Sequence, residues 1–201
     1  MEQRTASLLD ALQRQIFPDA PAPAGKMQNL ADCFIHRSAP RNNMLVRAGE
    51  KWRKVFYIHQ GLIRLYYTDT RGREFNKGFF REGEFLWPIA PSAREKESLF
   101  TIAALEDLVV SVCPFPAFRK WLDQHGAWEK FALPYAESMA EQKFKREYEF
   151  LLNPAMERFR HFLEAYPELA GRIPDYHIAS YLGITPVALS RIKNTSDLNL
   201  G

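Results

Sequence analysis

The segment from Asp175 to Lys193 limits most strongly what this chain can fold into. Apolar residues recur at helical spacing on both sides of Gly183, and a glycine can take the left-handed conformation that a tight turn between two helices requires. Thr185 can cap the second helix, with Pro186 at its first position. The pattern predicts a helix-turn-helix, whose second helix typically enters the major groove of DNA. The alternative is an ordinary helical hairpin in a core.

Length and composition narrow the class of protein. The 201 residues can form one domain or two small ones, and an apolar content of 46% suits a globular core. The net charge of +3 predicts no general attraction for nucleic acid. Cys33 and Cys113 are too few for a disulfide framework and are expected to be thiols in a reducing cytosol. Neither a signal peptide nor a membrane span of about 20 apolar residues is evident, so we expect a cytoplasmic protein that does not contact membranes.

The first part of the chain is predicted to contain a helix, then a linker, then a series of strands. Residues 7–17 predict a short amphipathic helix, followed by a linker that contains Pro18, Pro21, Pro23 and Gly25. Stretches rich in β-branched and aromatic residues then predict strands, and glycines at 49, 61, 72 and 83 space them by 11 or 12 residues. This is typical of a compact antiparallel β-roll or jelly roll. The predicted strands are 44–46, 55–58, 62–67, 75–80, 99–103 and 108–112, with a hairpin turn at 68–72.

After Pro116 the pattern is helical, with a short helix at 118–122 and a long one at 128–152. The long helix carries an apolar stripe that is either buried in its own chain or forms a dimer seam. Because the stripe exceeds what one small roll needs, it predicts a homodimer; its residues are Trp128, Tyr135, Met139, Tyr148 and Leu151. The fold class is therefore α+β. Its predicted parts are an N-terminal helix and linker (1–25), a β-roll (26–122), a dimerisation helix (123–152) and a helix-turn-helix domain (153–201).

This order of parts resembles the Crp/Fnr family of transcription regulators, over about 27–193. The segments that carry the resemblance, besides the helix-turn-helix, are Leu45–Glu50, Phe56–Arg64, Glu82–Leu86 and Glu157–Leu169. The resemblance implies a homodimeric, sequence-specific DNA-binding transcription regulator with a cyclic-nucleotide-binding-like roll that senses an effector. It implies double-stranded DNA as a partner, and leaves RNA polymerase and an unidentified small-molecule effector open as others.

The sequence departs from the family pattern in two places. Pro88 stands where cyclic-nucleotide-binding members have a glutamate for the ribose, and Glu97 with Ser98 stands where they have an Arg-Ser pair for the phosphate. A carboxylate would repel the phosphate that a guanidinium attracts, so cyclic AMP is not the expected effector. In addition, residues 194–201 are too few for a full β-hairpin wing after the second helix.

The resemblance also assigns roles in DNA binding. Arg191 falls where a side chain can reach a guanine through two hydrogen bonds, and Val187 can touch a thymine methyl group. Pro186 occupies a position where a polar base-reading residue is usual. Thr185, Ser190 and Lys193 are better placed for phosphates. For Arg191, the alternative is a solvated surface arginine.

Six residues of the roll are candidates for an effector pocket: Arg64, Phe79, Phe85, Trp87, Glu97 and Ser98. For the aromatic residues among them, an ordinary core is the alternative. The five histidines are scattered and no His-x-His pair occurs, so neither a metal nor another cofactor is expected. No nucleophile elbow or phosphate-cradling loop is present, and the chain is not expected to be an enzyme. The alternative function is a ligand-binding or interaction module whose helix-turn-helix no longer reads DNA.

Overall fold

A computed structural model describes residues 2–18 and 25–196 of the chain, with the side chain of Ser196 left out. Pro21 and Pro23 of the predicted linker, and residues 197–201, on which the prediction of a missing wing partly rests, lie outside the described residues. The chain forms two compact units. The first consists of Met1–Leu65 and Phe79–Ser138, and the second of Tyr66–Gly78 and Met139–Gly201.

The order of elements agrees with the predicted α+β fold. In chain order they are α1 (Glu2–Ile16), α2 (Lys26–Ala31), β1 (Ile35–Ala39), β2 (Met44–Val46), β3 (Lys54–Gln60), β4 (Ile63–Thr68), β5 (Glu74–Phe80), β6 (Phe85–Leu86), α3 (Pro91–Glu95), β7 (Thr101–Ala104), β8 (Leu108–Pro114), α4 (Phe115–Gln124), α5 (Trp128–Leu152), α6 (Ala155–Ala165), α7 (Asp175–Leu182) and α8 (Pro186–Ser196). The long helix has the predicted bounds. Four short elements, α2, β1, β6 and α3, were not predicted.

The strands form the predicted antiparallel roll. One sheet has the order β1-β8-β3-β6, and the other has the order β2-β7-β4-β5. In the first sheet, β8 pairs with β1 on one side and with β3 on the other, so that Val112 lies opposite both Ile35 and Phe56. Strands that are distant in sequence are thereby brought side by side, which is the arrangement of a jelly roll.

The inner strands of the first sheet, β3 and β8, are largely buried on both faces. In β3, Phe56 and Ile58 point into the interior of the roll, whereas Val55 and Tyr57 pack in a second core with residues of α1, α2, α4 and the start of α5. Successive side chains of a strand point to opposite faces, so a strand between two cores must be apolar throughout. Burial of each such large side chain contributes about 1.5–3 kcal/mol. This explains the unbroken apolar run of residues 55–58.

Both cysteines are free thiols, as predicted. Cys33 is half-buried, whereas Cys113 is fully buried in the second core, where burial raises the pKa of its thiol to about 12. A thiol with such a pKa is unreactive at neutral pH. Among the described residues, no helix has the length and apolar character needed to cross a membrane, and no three metal-binding side chains are grouped around a common point.

The predicted turn glycines differ in how much space surrounds them. Gly61 joins β3 to β4 with a φ of 90°, and Gly83 precedes β6 with a φ of 84°. A Cβ atom on Gly61 would lie 2.4 Å from the carbonyl oxygen of Asp107, whereas a Cβ atom on Gly83 would meet nothing within 4 Å. Both positions favour glycine through backbone conformation, but only Gly61 also requires it for close approach.

We therefore predict that Gly61→Ala destabilises the protein far more than Gly83→Ala. The first substitution adds a steric clash with backbone to the strain of a left-handed alanine and should lower the free energy of unfolding by roughly 2 kcal/mol or more. The second adds strain alone, about 1 kcal/mol. Urea denaturation followed by circular dichroism measures both. Equal effects of the two substitutions would contradict the close packing of the β3–β4 turn.

Candidate nucleic-acid interface

The turn between α7 and α8 has the predicted geometry. Gly183 ends α7 in the left-handed conformation with a φ of 69°, and the N–H of Ile184 donates to the carbonyl of Ala179 at 3.0 Å. Helix α8 then begins at Pro186, and the hydroxyl of Thr185 accepts a hydrogen bond from the N–H of Ala188 at 3.1 Å. Two helices thus flank a tight turn, with a left-handed glycine cap before it and a threonine cap after it.

The inner side of this motif is closely packed. Ile178, Ala179, Leu182 and Leu189 are almost completely buried. A Cβ atom on Gly183 would lie 2.6 Å from Cε1 of Phe150 of α5, so the turn touches the aromatic ring directly. Because these four side chains fix the inner side of the motif, the opposite side of α8 faces solvent.

The six residues predicted to bind DNA are the capping residue Thr185 and five residues of α8. Thr185, Pro186, Val187, Ser190 and Arg191 are exposed. Lys193 is half-exposed, and its ammonium lies 2.8 and 3.0 Å from the two carboxylate oxygens of Asp175. An exposed ion pair of this kind contributes about 0–1 kcal/mol, so exchanging Asp175 for a phosphate would cost little. Contact of these six residues with DNA stays a prediction.

The part of the second unit that holds α7 from its polar side contains the predicted turn at 68–72, although the sequence did not indicate this contact. This part is the hairpin tip, Tyr66–Gly78, which comprises the ends of β4 and β5 and the turn between them. The side-chain amide of Asn76 donates to the carbonyl of His177 at 3.1 Å and lies 3.2 Å from Nδ1 of the same residue. The backbone N–H of Asn76 donates to the Ser180 hydroxyl at 3.0 Å, and that hydroxyl donates to the carbonyl of Glu74 at 2.9 Å.

Arg146 of α5 completes this contact. Its guanidinium donates to the carbonyl oxygens of Asn76, Lys77 and Tyr181, at 3.1, 2.6 and 2.9 Å. It also lies over the ring of Tyr181, 4.1 Å from the centroid, an arrangement that favours a cation. One arginine thus binds the hairpin tip and α7 to the same helix.

The surroundings of Lys77 are strongly basic. Burial lowers the pKa of its ammonium to about 7, and the positive charges of Lys143 and Arg146 add to this effect. A lysine with such a pKa is only partly charged at neutral pH, because its environment disfavours the protonated form. The hairpin tip therefore joins α5 through polar contacts rather than through complementary charges.

The predicted effector-pocket residues do not share one environment. Phe85 and Trp87 belong to the core between the sheet and the helices. The ring of Phe85 lies 4.8 Å from that of Tyr57, and the ring of Trp87 lies 5.4 Å from that of Trp128. Both side chains thus pack in a core, and binding of an effector by them stays a prediction.

The remaining candidates lie in varied surroundings. Arg64 and Phe79 are buried and Glu97 is exposed. The hydroxyl of Ser98 is bound within its own loop, where it donates to the carbonyl of Phe100 at 2.7 Å. Binding of an effector by these residues stays a prediction.

The segment around Pro88 is fixed by an arginine. Arg94 of α3 donates from Nε to the carbonyl of Pro88 at 2.9 Å and from a terminal nitrogen to the carbonyl of Ile89. Its guanidinium lies 5.3 Å from the ring centroid of Trp128. This cation is engaged in holding the loop that follows β6.

Comparison with known proteins agrees with this architecture. Residues 36–125 match the family model of the cyclic nucleotide-binding domain. A search of curated protein sequences gave no significant match.

Several solved structures share the fold along most of the chain. A mutant of CooA from Carboxydothermus hydrogenoformans has 17% identity and a TM-score of 0.71, and the match covers 94% of this chain and 83% of that one. CLP, a c-di-GMP responsive global regulator from Xanthomonas campestris, has 13% identity and a TM-score of 0.66 over 88% and 93%. A Crp/Fnr-family transcriptional regulator from Eubacterium rectale has 15% identity and a TM-score of 0.65 over 92% and 87%.

The roll is thus similar in sequence to cyclic nucleotide-binding domains. The chain as a whole has the fold of the Crp/Fnr regulators, which confirms the predicted resemblance.

We predict that Asn76→Ala destabilises the second unit, because it removes the side-chain amide that hydrogen-bonds to buried His177. The expected loss is about 1–3 kcal/mol in the free energy of unfolding. Asn43→Ala is the matched control, because that side chain is exposed and has no hydrogen bond within the described part of the chain. Hydrogen exchange of the α7 amides gives a local measurement. Unchanged protection of α7 in Asn76→Ala would contradict the role of this contact.

Proposed function

We propose that this chain is a sequence-specific DNA-binding transcription regulator that acts as a homodimer, with its roll as the effector domain. The observation that carries the proposal is the exposed outer face of α8, opposite the buried Leu189 and behind the capped turn at Gly183 and Thr185. A helix held in this way can enter the major groove without rearrangement.

Similarity in fold supports the proposal. The structural neighbours include a regulator that links cell–cell signalling to virulence gene expression and a Crp/Fnr-family transcriptional regulator. In this chain the roll would receive the signal and α8 would read the DNA. Cyclic AMP is not the effector that we propose, since Pro88 offers no side-chain acceptor for a ribose hydroxyl and Glu97 would repel a phosphate.

The chemistry of the exposed residues on and before α8 suits two kinds of DNA contact, with bases and with phosphates. Arg191 can donate two hydrogen bonds to a guanine, and Val187 can contact a thymine methyl group. Thr185, Ser190 and Lys193 can bind phosphates, which position the helix but do not distinguish sequences. Asp175 lies beside Lys193 and would be repelled by a phosphate. The charge of Lys193 therefore has to neutralise the carboxylate of Asp175 as well as the phosphate.

The proposed dimer rests on the exposed stripe of α5. Phe144, Tyr148 and Leu151 are 72%, 59% and 75% exposed, and their spacing of four and three residues places them on one face of the helix. Three exposed apolar side chains on one face of α5 can pack against the same face of α5 in a second copy, and this face is the proposed seam. The earlier part of the predicted stripe is different, because Trp128 and Tyr135 pack around Trp87 in their own chain.

A dimer is also what DNA geometry requires. Two recognition helices about 34 Å apart can enter successive major grooves on one face of a duplex. Joining two copies along α5 supplies the second helix.

One prediction of the proposed function concerns the recognition of bases by α8. A preferred duplex is selected from a random library, and binding is measured by fluorescence anisotropy. Arg191→Ala should cost about 1–3 kcal/mol on this duplex and relax the preference at one base pair per half-site. Lys193→Ala should weaken binding to all sequences equally and lower the slope of log affinity against log salt by about one per contact.

Arg160→Ala is the control for this experiment, because Arg160 is an exposed arginine on α6. We expect it to bind like the parent protein. If Arg191→Ala and Lys193→Ala also bound like the parent, α8 would not be the reader. If the parent protein selected no duplex at all, the chain would be a ligand-binding or interaction module instead.

Another prediction of the proposed function concerns the formation of the dimer. Phe144→Glu places a charge in the proposed seam and should raise the dissociation constant of the dimer roughly tenfold or more. Gln142→Glu adds the same charge on the opposite side of α5 and should leave the dimer unchanged. Sedimentation velocity over a range of concentrations measures both. A parent protein that stays monomeric at micromolar concentration would contradict the seam.

A further inference from the structure

The roll has an open mouth between its two edge strands. A groove of about 520 Å³ lies between β1, β8 and β3 of one sheet and β2 of the other. Strands β1 and β2 are the outermost strands of their sheets and follow each other in the chain. No third strand bridges them within the described residues, so the space between the sheets opens to solvent here.

The floor of the groove is apolar. Ala39, Phe56, Val110 and Val112 line it, and all four also pack in the interior of the roll. A ligand seated in the groove would therefore rest on the hydrophobic core of the roll itself.

The walls of the groove expose apolar side chains as well. Ile35 on β1 is 54% exposed and Met44 on β2 is 47% exposed, and both line the groove. They are among the large apolar side chains of the first unit that remain in contact with water. Two of them facing the same opening form an apolar patch that a ligand could cover.

Three cations surround the same opening. Arg37, Arg53 and Lys54 line the groove and are exposed, and no acidic residue is among the residues that line it. Within the described part of the chain, these three side chains form no ion pair. Their positive charges are therefore available to an anion that binds in the groove.

We propose that this groove binds an amphipathic organic anion, with its apolar body on the floor of the groove and its carboxylate at the cations. Small-molecule sites are typically apolar clefts of about 300–1,000 Å³ with a few polar groups, and mouths of β-barrels are common places for them. Arginine donates paired hydrogen bonds to a carboxylate, which a neutral or cationic head group cannot accept in the same way.

The site is separate from the loop that follows β6. Neither Pro88 nor Glu97 lines the groove, so the departures that argue against cyclic AMP do not bear on it. The inference goes beyond the proposed function, because it holds whether or not α8 reads DNA.

Decanoate, used below its micellar concentration, is the probe. Isothermal titration calorimetry on the full chain measures its affinity, with decanol and decyltrimethylammonium as matched neutral and cationic ligands. Trp52 gives a second readout, since it is buried and its indole N–H donates to the carbonyl of Lys54 at 2.8 Å. We expect decanoate to bind roughly tenfold or more tightly than either comparison ligand.

The variants remove the head-group site without touching the core. A triple substitution, Arg37→Gln, Arg53→Gln and Lys54→Gln, should weaken decanoate binding roughly tenfold or more, because it neutralises all three cations. The control substitutes Lys26, Lys51 and Lys96 by Gln, which removes the same charge from exposed positions outside the groove. It should bind decanoate like the parent protein. Circular dichroism verifies that both variants are folded.

Three outcomes would overturn the proposal. One is a parent protein that binds no decanoate at millimolar concentration. Another is equal binding of decanoate and decyltrimethylammonium, which would make the groove an apolar surface without charge selection. The third is equal loss of affinity in the triple variant and in its control. Failure in any of these leaves DNA binding by α8 unaffected, so the two proposals are tested separately.

Discussion

The architecture of the first unit depends on a sheet whose inner strands, β3 and β8, are largely buried on both faces. Strand β3 sends Phe56 into the roll and Tyr57 toward the helices, and β8 does the same with Val110 and Cys113. The roll therefore cannot be packed independently of α1, α2 and α4. The core between the sheet and the helices also contains Trp87, whose ring lies 6.1 Å from that of Phe115 at the start of α4.

The parts of the fold that the sequence predicts are those in which one pattern continues for several residues. Helix α5 has a long periodic stripe, and the α7–α8 turn combines Gly183 with Thr185. Strand β1 was missed because its residues 35–39 alternate poorly and it pairs with β8 alone, so tertiary pairing rather than local preference makes it a strand. Helices α2 and α3 and strand β6 are too short to leave a periodic signal.

The candidate sites were predictable only in part, for a similar reason. Helical periodicity identified the exposed side of α8, since Leu189 had to face inward. The same kind of reasoning could not separate an effector pocket from a core at Phe85 and Trp87, because both uses call for aromatic residues at strand spacing. Asn76 and Arg146 left no local signal at all. Their partners are up to 104 residues away, and only the fold brings them together.

The hairpin tip has a consequence for how this protein can be divided. Residues 66–78 belong to the helical unit although they include the ends of strands β4 and β5, so the chain passes from one unit to the other after residues 65, 78 and 138. A fragment that starts at residue 139 would contain His177 and Ser180 without Asn76. A single cut therefore cannot separate the units intact. Each unit is compact but consists of two separate stretches of the sequence. Recombination that exchanges the helical unit would therefore have to exchange the hairpin as well.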